Sequence, residues 1–146
     1  MKFHIVILSL SLLISSAACG QTNANADKSS VETNATQQAT VQVVSVAEFK
    51  EKSKLPGAQI IDVRTDGEVA EGMIENAVQM NVAKWKNFVT AAEGLDPSKP
   101  VLVYCKSGGR SNSAATYLVE QGFTQVYDLD GGITSWNQSK EPTVKP

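Results

Sequence analysis

A cysteine, two glycines and an arginine stand together in Cys105-Lys106-Ser107-Gly108-Gly109-Arg110-Ser111. The stretch follows an apolar run, Val101-Leu102-Val103-Tyr104, and leads into a helical pattern that starts at Ser111. A cysteine leaving a buried strand for a glycine turn and a helix start makes an anion cradle. Backbone N–H groups of the turn can point inward together, and the helix N-terminus adds positive partial charge. Such a site lowers a thiol pKa. Moving it from about 8.5 to 7 takes only roughly 2 kcal/mol of preferential thiolate stabilisation. The same donors would hold a substrate oxyanion or the terminal sulfur of a persulfide. A lone cysteine is by itself more often an inert core residue; the Gly-Gly-Arg turn after a strand reverses that expectation.

The elements that must position this stretch alternate between strand and helix. Ser45 with Glu48 forms a capping box, so a short helix is predicted over 45–53. Residues 59–63 read as a buried strand ending in Asp62-Val63-Arg64. Thr65 with Glu68 is a second capping box, opening a helix over 67–71. A strand over 77–82 precedes a helix over 84–93, where Trp85, Phe88 and Val89 recur at helical spacing. The strand over 100–104 carries the cysteine, a helix over 111–121 follows, and a strand over 125–129 leads to a short terminal helix begun by Gly131-Gly132. This alternation predicts an α/β fold with a mostly parallel central sheet flanked by helices on both faces. Ligands of such sheets bind beyond the carboxyl ends of the strands, which is where Cys105 would lie.

Four segments carry a resemblance in family order. The cysteine loop resembles the C-x-S-G-x-R-S loop of the rhodanese family of sulfurtransferases. Ile61 to Thr65 is similar to that family's D-V-R motif, Glu68 to Ile74 to its E-[FY]-x-x-G-H-I segment, and Leu129-Asp130-Gly131-Gly132 with Trp136 to its L-x-G-G…W segment. The chain departs from the pattern at Met73, where histidine is usual, and at Glu75-Asn76-Ala77 in place of P-G-A. The resemblance implies a rhodanese-like fold over 43–146 and a sulfurtransferase of the thiosulfate (rhodanese) class. Cys105 would take a sulfane sulfur from thiosulfate or a persulfide and pass it to a thiophilic acceptor, cyanide in the assay tube and a thiol in the cell. It also implies that the amides from Lys106 to Ser111 ring the sulfur.

Individual residues leave alternatives. Gly108 and Gly109 supply the backbone freedom of a tight ring. Arg110 either braces the loop against a carboxylate or faces the anionic donor. Lys106 attracts anions or is a solvated lysine. Ser107 and Ser111 can donate to sulfur, though Ser111 could serve only as a helix cap. Asp62 and Arg64 form an ion pair bracing the loops, or Arg64 is an anion ligand. Trp136 is core or pocket wall. Two other functions compete. A cysteine phosphatase or arsenate reductase would need C-x5-R, whereas Cys105 to Arg110 is C-x4-R. A tethered persulfide carrier or docking module with little turnover on small donors is the other.

The ends of the chain bound the rest. Met1-Lys2-Phe3-His4, an apolar run over 5–14 and Ser15-Ser16-Ala17-Ala18-Cys19 have the layout of a bacterial export signal, too short to span a bilayer as a mature helix. Cleavage before Cys19 would leave a lipidated cysteine and a membrane-anchored periplasmic protein; soluble secretion and an uncleaved anchor are the alternatives. Residues 19–42 are polar and small, a flexible tether spanning on the order of 25 Å. The sequon Asn34-Ala35-Thr36 is read as coincidence. Removing the signal removes His4, the single histidine, so a Cys–His hydrolase and a His-containing zinc site are excluded, and neither cofactor nor metal is expected. With Cys19 acylated, Cys105 is the one thiol left and no internal disulfide can form. A net charge of -2 without a basic run gives no reason to expect nucleic acid. The expected partners are a small sulfur-donor anion and an external thiol or protein acceptor, met by a monomer.

Overall fold

The computed structural model describes residues 39–146. Five parallel strands form one sheet in the order β1-β5-β4-β2-β3: β1 (Val41–Val44), β2 (Gln59–Asp62), β3 (Ala77–Gln79), β4 (Val101–Tyr104) and β5 (Val126–Leu129). The helices are α1 (Val46–Ser53), α2 (Asp66–Ala70), α3 (Trp85–Ala92, entered through a 3-10 turn over Val82–Lys84), α4 (Gly109–Glu120) and α5 (Gly132–Gln138). Alternate strand residues face opposite layers. Ile61, Val101, Val103 and Val126 pack with Phe88 and Leu118 of α3 and α4. Ile60, Leu102, Tyr104 and Leu129 pack with Phe49 of α1 and with Ile133 and Trp136 of α5. Every side chain of β4 is fully buried, as a central parallel strand covered on both faces requires.

Both capping boxes form. Ser45 Oγ accepts from the Glu48 N–H, and Glu48 accepts from the Ser45 N–H at 2.9 Å. The Glu68 carboxylate likewise accepts from the Thr65 N–H at 3.0 Å. The structure corrects the sequence reading at three boundaries. The first strand starts at Val41, inside the span read as tether, where the sequence predicts no strand. β1 is an edge strand with Val43 exposed, held by its ladder to β5, so it needs no apolar run to announce it. β3 ends at Gln79, because the chain turns at Asn81, which caps the following 3-10 turn. α4 begins at Gly109, so Arg110 lies in its first turn. Trp136 is a core residue whose indole N–H donates to the Pro142 carbonyl at 2.9 Å.

The sheet order places the site. β2 leads outward through α2 to β3 on one side, while β4 leads through α4 to β5 on the other. A crevice therefore opens between the carboxyl ends of β2 and β4. Asp62 to Thr65 and Cys105 to Arg110 leave these two neighbouring strands and form the two sides of that crevice. The export signal, Cys19, the sequon and the tether as far as residue 38 lie outside the described residues.

Candidate active site

Cys105 follows directly on β4, and its thiol is almost completely enclosed. Its Sγ accepts from the Gly108 N–H at 3.1 Å and from the Ser111 hydroxyl at 3.5 Å. Gly108 stands at φ +103°, the left-handed region that turns its N–H inward ahead of the helix. Gly109 needs no such angle: it is the first residue of α4, and a Cβ there would meet nothing within 4 Å. The ring therefore depends on one glycine rather than two. Burial pushes the thiol pKa up, but the Ser111 hydroxyl and the amides of Ser111, Ser107 and Gly108 outweigh it and leave it lowered. Cys105 is the one free cysteine among the described residues.

The two arginines of the crevice are bound differently. Arg64 is buried, and most of its donors are taken. Its Nε donates to both carboxylate oxygens of Asp62 at 2.9 and 3.0 Å, and Nη2 donates to Asp62 at 2.6 Å. Nη2 also reaches the Gly72 carbonyl at 2.7 Å, and Nη1 the Glu68 carbonyl at 3.1 Å. Burial alone would lower the Arg64 pKa, but the Asp62 carboxylate raises it above its ordinary value. The Asp62–Arg64 pair thus takes the bracing geometry. Arg110 makes a planar fork to Glu68, with both Nη atoms at 2.7 Å from the two carboxylate oxygens. About a third of the Arg110 side chain stays exposed.

Glu68 is the residue the sequence reading undervalued. Read as a helix cap, it caps α2 and grips Arg110 with the same carboxylate, joining the N-termini of α2 and α4. The Arg110 guanidinium holds that carboxyl well below the usual range against burial. Nothing local distinguishes a cap that also binds across the crevice. A second underestimated feature is the Gly131-Gly132 turn. Gly132 stands at φ +55°, and a Cβ on it would collide with the Cys105 carbonyl oxygen and lie 2.8 Å from the Lys106 carbonyl carbon. That close approach lets the Ile133 N–H donate to the Cys105 carbonyl at 2.9 Å, and the Thr134 N–H and hydroxyl donate to the Lys106 carbonyl at 3.1 and 2.8 Å. α5 thereby fixes the floor of the loop. The Lys106 side chain is exposed, at the edge of a cleft of about 150 Å³ that Arg64, Glu68, Ile133 and Thr134 also line. Ser107 is exposed on the loop's outer side.

A parallel sheet, a thiol ringed by amides at the end of its central strand and a forked arginine one turn into the next helix match a known family. The Rhodanese-like domain family matches residues 45–139. The chain belongs to the rhodanese family. It is 34% identical over 96 residues to a thiosulfate sulfurtransferase GlpE of Shewanella oneidensis, an alignment covering 66% of this chain and 92% of the relative. A GlpE of Coxiella burnetii is 44% identical over 84 residues, covering 58% of this chain and 75% of the relative. Among solved structures, the polysulfide-sulfur transferase homodimer of Wolinella succinogenes is similar with a TM-score of 0.61 at 32% identity, covering 73% of this chain and 80% of that one. A rhodanese-related protein of Thermoplasma volcanium gives a TM-score of 0.60 at 27% identity, over 70% and 97% of the two chains. The protein is an enzyme of the rhodanese class of sulfurtransferases, and its partners are accordingly a sulfur donor and a sulfur acceptor. Among the described residues, no helix is long and apolar enough to cross a membrane.

Proposed function

We propose that this rhodanese moves the outer sulfur of thiosulfate, or of a persulfide, through a persulfide on Cys105. The observation that carries the reading is the Cys105 sulfur accepting bonds from the Gly108 amide and the Ser111 hydroxyl, a setting that favours the anion. The thiolate attacks the outer sulfur of thiosulfate, the S–S bond of the donor breaks, and sulfite leaves with the bonding electron pair. The new Cys105 persulfide anion occupies the same ring of donors. An acceptor then attacks its terminal sulfur: cyanide leaves as thiocyanate, a thiol as its persulfide, and the Cys105 thiolate returns. The relatives named as thiosulfate sulfurtransferases support thiosulfate as donor. No second free cysteine lies among the described residues, so the acceptor comes from outside the domain. Lys106, exposed beside the loop, supplies positive charge along the approach of an anionic donor. Arg110, a third exposed above its fork to Glu68, does the same from the helix side. We further propose that the chain is exported and anchored through a lipid on Cys19, on the strength of the signal-like residues before it.

Intact mass of the reduced protein before and after thiosulfate, with Cys105→Ser beside it, tests the transfer. The expected result is a gain of one sulfur atom, reversed by cyanide and absent in the variant. A folded protein with a reduced Cys105 and no gain overturns thiosulfate as donor and points to a carrier fed by other persulfides. Mass of the mature N-terminal peptide tests the anchor: acyl chains on Cys19 are expected, and a free thiol there overturns it.

A further inference from the structure

One buried ionisable group serves neither the fold nor the mechanism described so far. Asp128 is the third residue of β5, 3% exposed, and its Oδ1 has no hydrogen-bond partner among the described residues. Strand alternation sets it on the α3 and α4 layer, with Val126, and its register partner on β4 is Val103, two residues before Cys105. Ser111, fully buried in the first turn of α4, faces it. A carboxyl in that position makes no ion pair among the described residues and would be cheaper for the fold as an apolar residue.

We propose that Asp128 is a positioning residue for the Cys105 thiolate, acting through the Ser111 hydroxyl. Ser111 has one hydroxyl proton and two acceptors within hydrogen-bond reach, the Gly108 carbonyl at 2.9 Å and the Cys105 sulfur at 3.5 Å, while the unpartnered Asp128 carboxyl lies on the strand that α4 packs against. An ionised Asp128 accepts that proton and draws it from sulfur, while adding a negative charge behind the thiolate. A protonated Asp128 donates to Ser111 Oγ instead and leaves the hydroxyl proton free for sulfur. Cys105 is thus a better-stabilised thiolate when Asp128 holds its proton. Burial pushes the Asp128 pKa up, the Ser111 hydroxyl draws it back, and the Asp130 carboxylate adds to the rise, which places it at about 6. Among the described residues it has no ion-pair partner. β1 offers none, Tyr104 of β4 packs in the opposite layer, Arg110 is turned to Glu68, and Tyr117 of α4 stacks with Trp85 and Phe88.

The test is the alkylation rate of Cys105 by iodoacetamide against pH in the full chain, read on the Cys105 peptide. It needs no sulfur transfer, so it stands or falls separately from the proposed reaction, although its consequence for turnover rests on Cys105 being the nucleophile. Asp128→Asn is expected to move the thiolate midpoint down by on the order of one pKa unit. Most of that shift is expected to vanish in a Ser111→Ala background. Superimposable profiles for folded wild type and Asp128→Asn overturn the proposal, and an undiminished shift without Ser111 overturns the hydroxyl route. Should the variant not fold, the carboxyl titration of Asp128 in the wild type, followed by NMR before and after capping Cys105, decides the matter. Reciprocity requires the Asp128 pKa to fall once the thiolate is capped, and an unchanged pKa refutes the coupling.

Discussion

The loops leaving β2 and β4 lie side by side at one end of the sheet, yet they handle charge in opposite ways. After β2, a buried carboxylate and a buried guanidinium neutralise each other, and further donors of Arg64 go to the carbonyls of Glu68 and Gly72. After β4, the charge belongs to a sulfur, and it is met by a main-chain amide and a hydroxyl. A buried side-chain pair that also holds loop carbonyls acts first on the fold. Backbone donors arranged around one atom serve whatever anion occupies that place, thiolate or persulfide. The first loop is scaffold, and the second is chemistry.

The largest effect that separates them is expected from Cys105→Ser. Sulfur uptake from thiosulfate should fall to background while the urea midpoint barely moves, because the substitution removes one polarizable atom and keeps the hydrogen-bond pattern. Arg64→Ala should do the reverse to stability. It strands the fully buried Asp62 carboxylate and frees two carbonyls, a loss of about 3–5 kcal/mol for breaking one side of a buried pair. Urea denaturation followed by fluorescence of Trp136 and Trp85 measures it. A loss under 1 kcal/mol would mean that the first loop is not scaffold and that its charges are available to ligand.

Much of this division can be seen in the residues themselves. The cysteine loop, the D-V-R segment and the Gly-Gly turn are short, contiguous and built on backbone rules, so a linear reading places them at strand ends. The alternation of elements likewise yields the parallel sheet, because buried strands must be continuously apolar. What stayed hidden depends on residues distant in sequence. Glu68 satisfies the local pattern of a cap, and only the folded crevice brings Arg110 to it from 42 positions away. Asp128 looks like an ordinary polar residue of an edge-side strand until α4 covers it. β1 escaped because three of its four side chains are not buried, so hydrophobic periodicity has nothing to report.

A smaller effect sharpens the chemistry of the second loop. Ser111→Ala removes a hydrogen bond to the sulfur anion, and hydrogen bonds to charged groups are worth about 1.5–3 kcal/mol. The long 3.5 Å contact places this one at the low end, so the Cys105 midpoint should rise by about one unit. The sign follows from the lowered thiol pKa in the folded state. Folding favours the thiolate, so the wild type gains stability as pH rises through the folded midpoint toward about 8.5, the unfolded value, and loses it as pH falls back. In Ser111→Ala that pH-dependent gain should shrink, and alkylation at pH 7 should slow about tenfold. An unchanged midpoint would leave the backbone amides as the whole source of the shift.

The smallest effects distinguish the two glycines, and they test whether the ring needs a conformation or merely room. Gly108 and Gly109 both have open space where a Cβ would go, so crowding cannot separate them. Conformation can. Gly108 at φ +103° must hold an angle that an L side chain resists, at a cost of about 1–2 kcal/mol. Gly109 opens α4 outside that region, where alanine restricts the unfolded chain and is expected to stabilise by about 0.4–1 kcal/mol. Gly108→Ala should also turn away the amide that reaches sulfur at 3.1 Å, so its thiolate midpoint should rise while that of Gly109→Ala stays in place. Opposite signs in urea denaturation, together with a titration shift confined to Gly108, would locate the cradle in one main-chain angle. Equal behaviour of the two variants would mean that the loop reaches its ring of donors by a different backbone path.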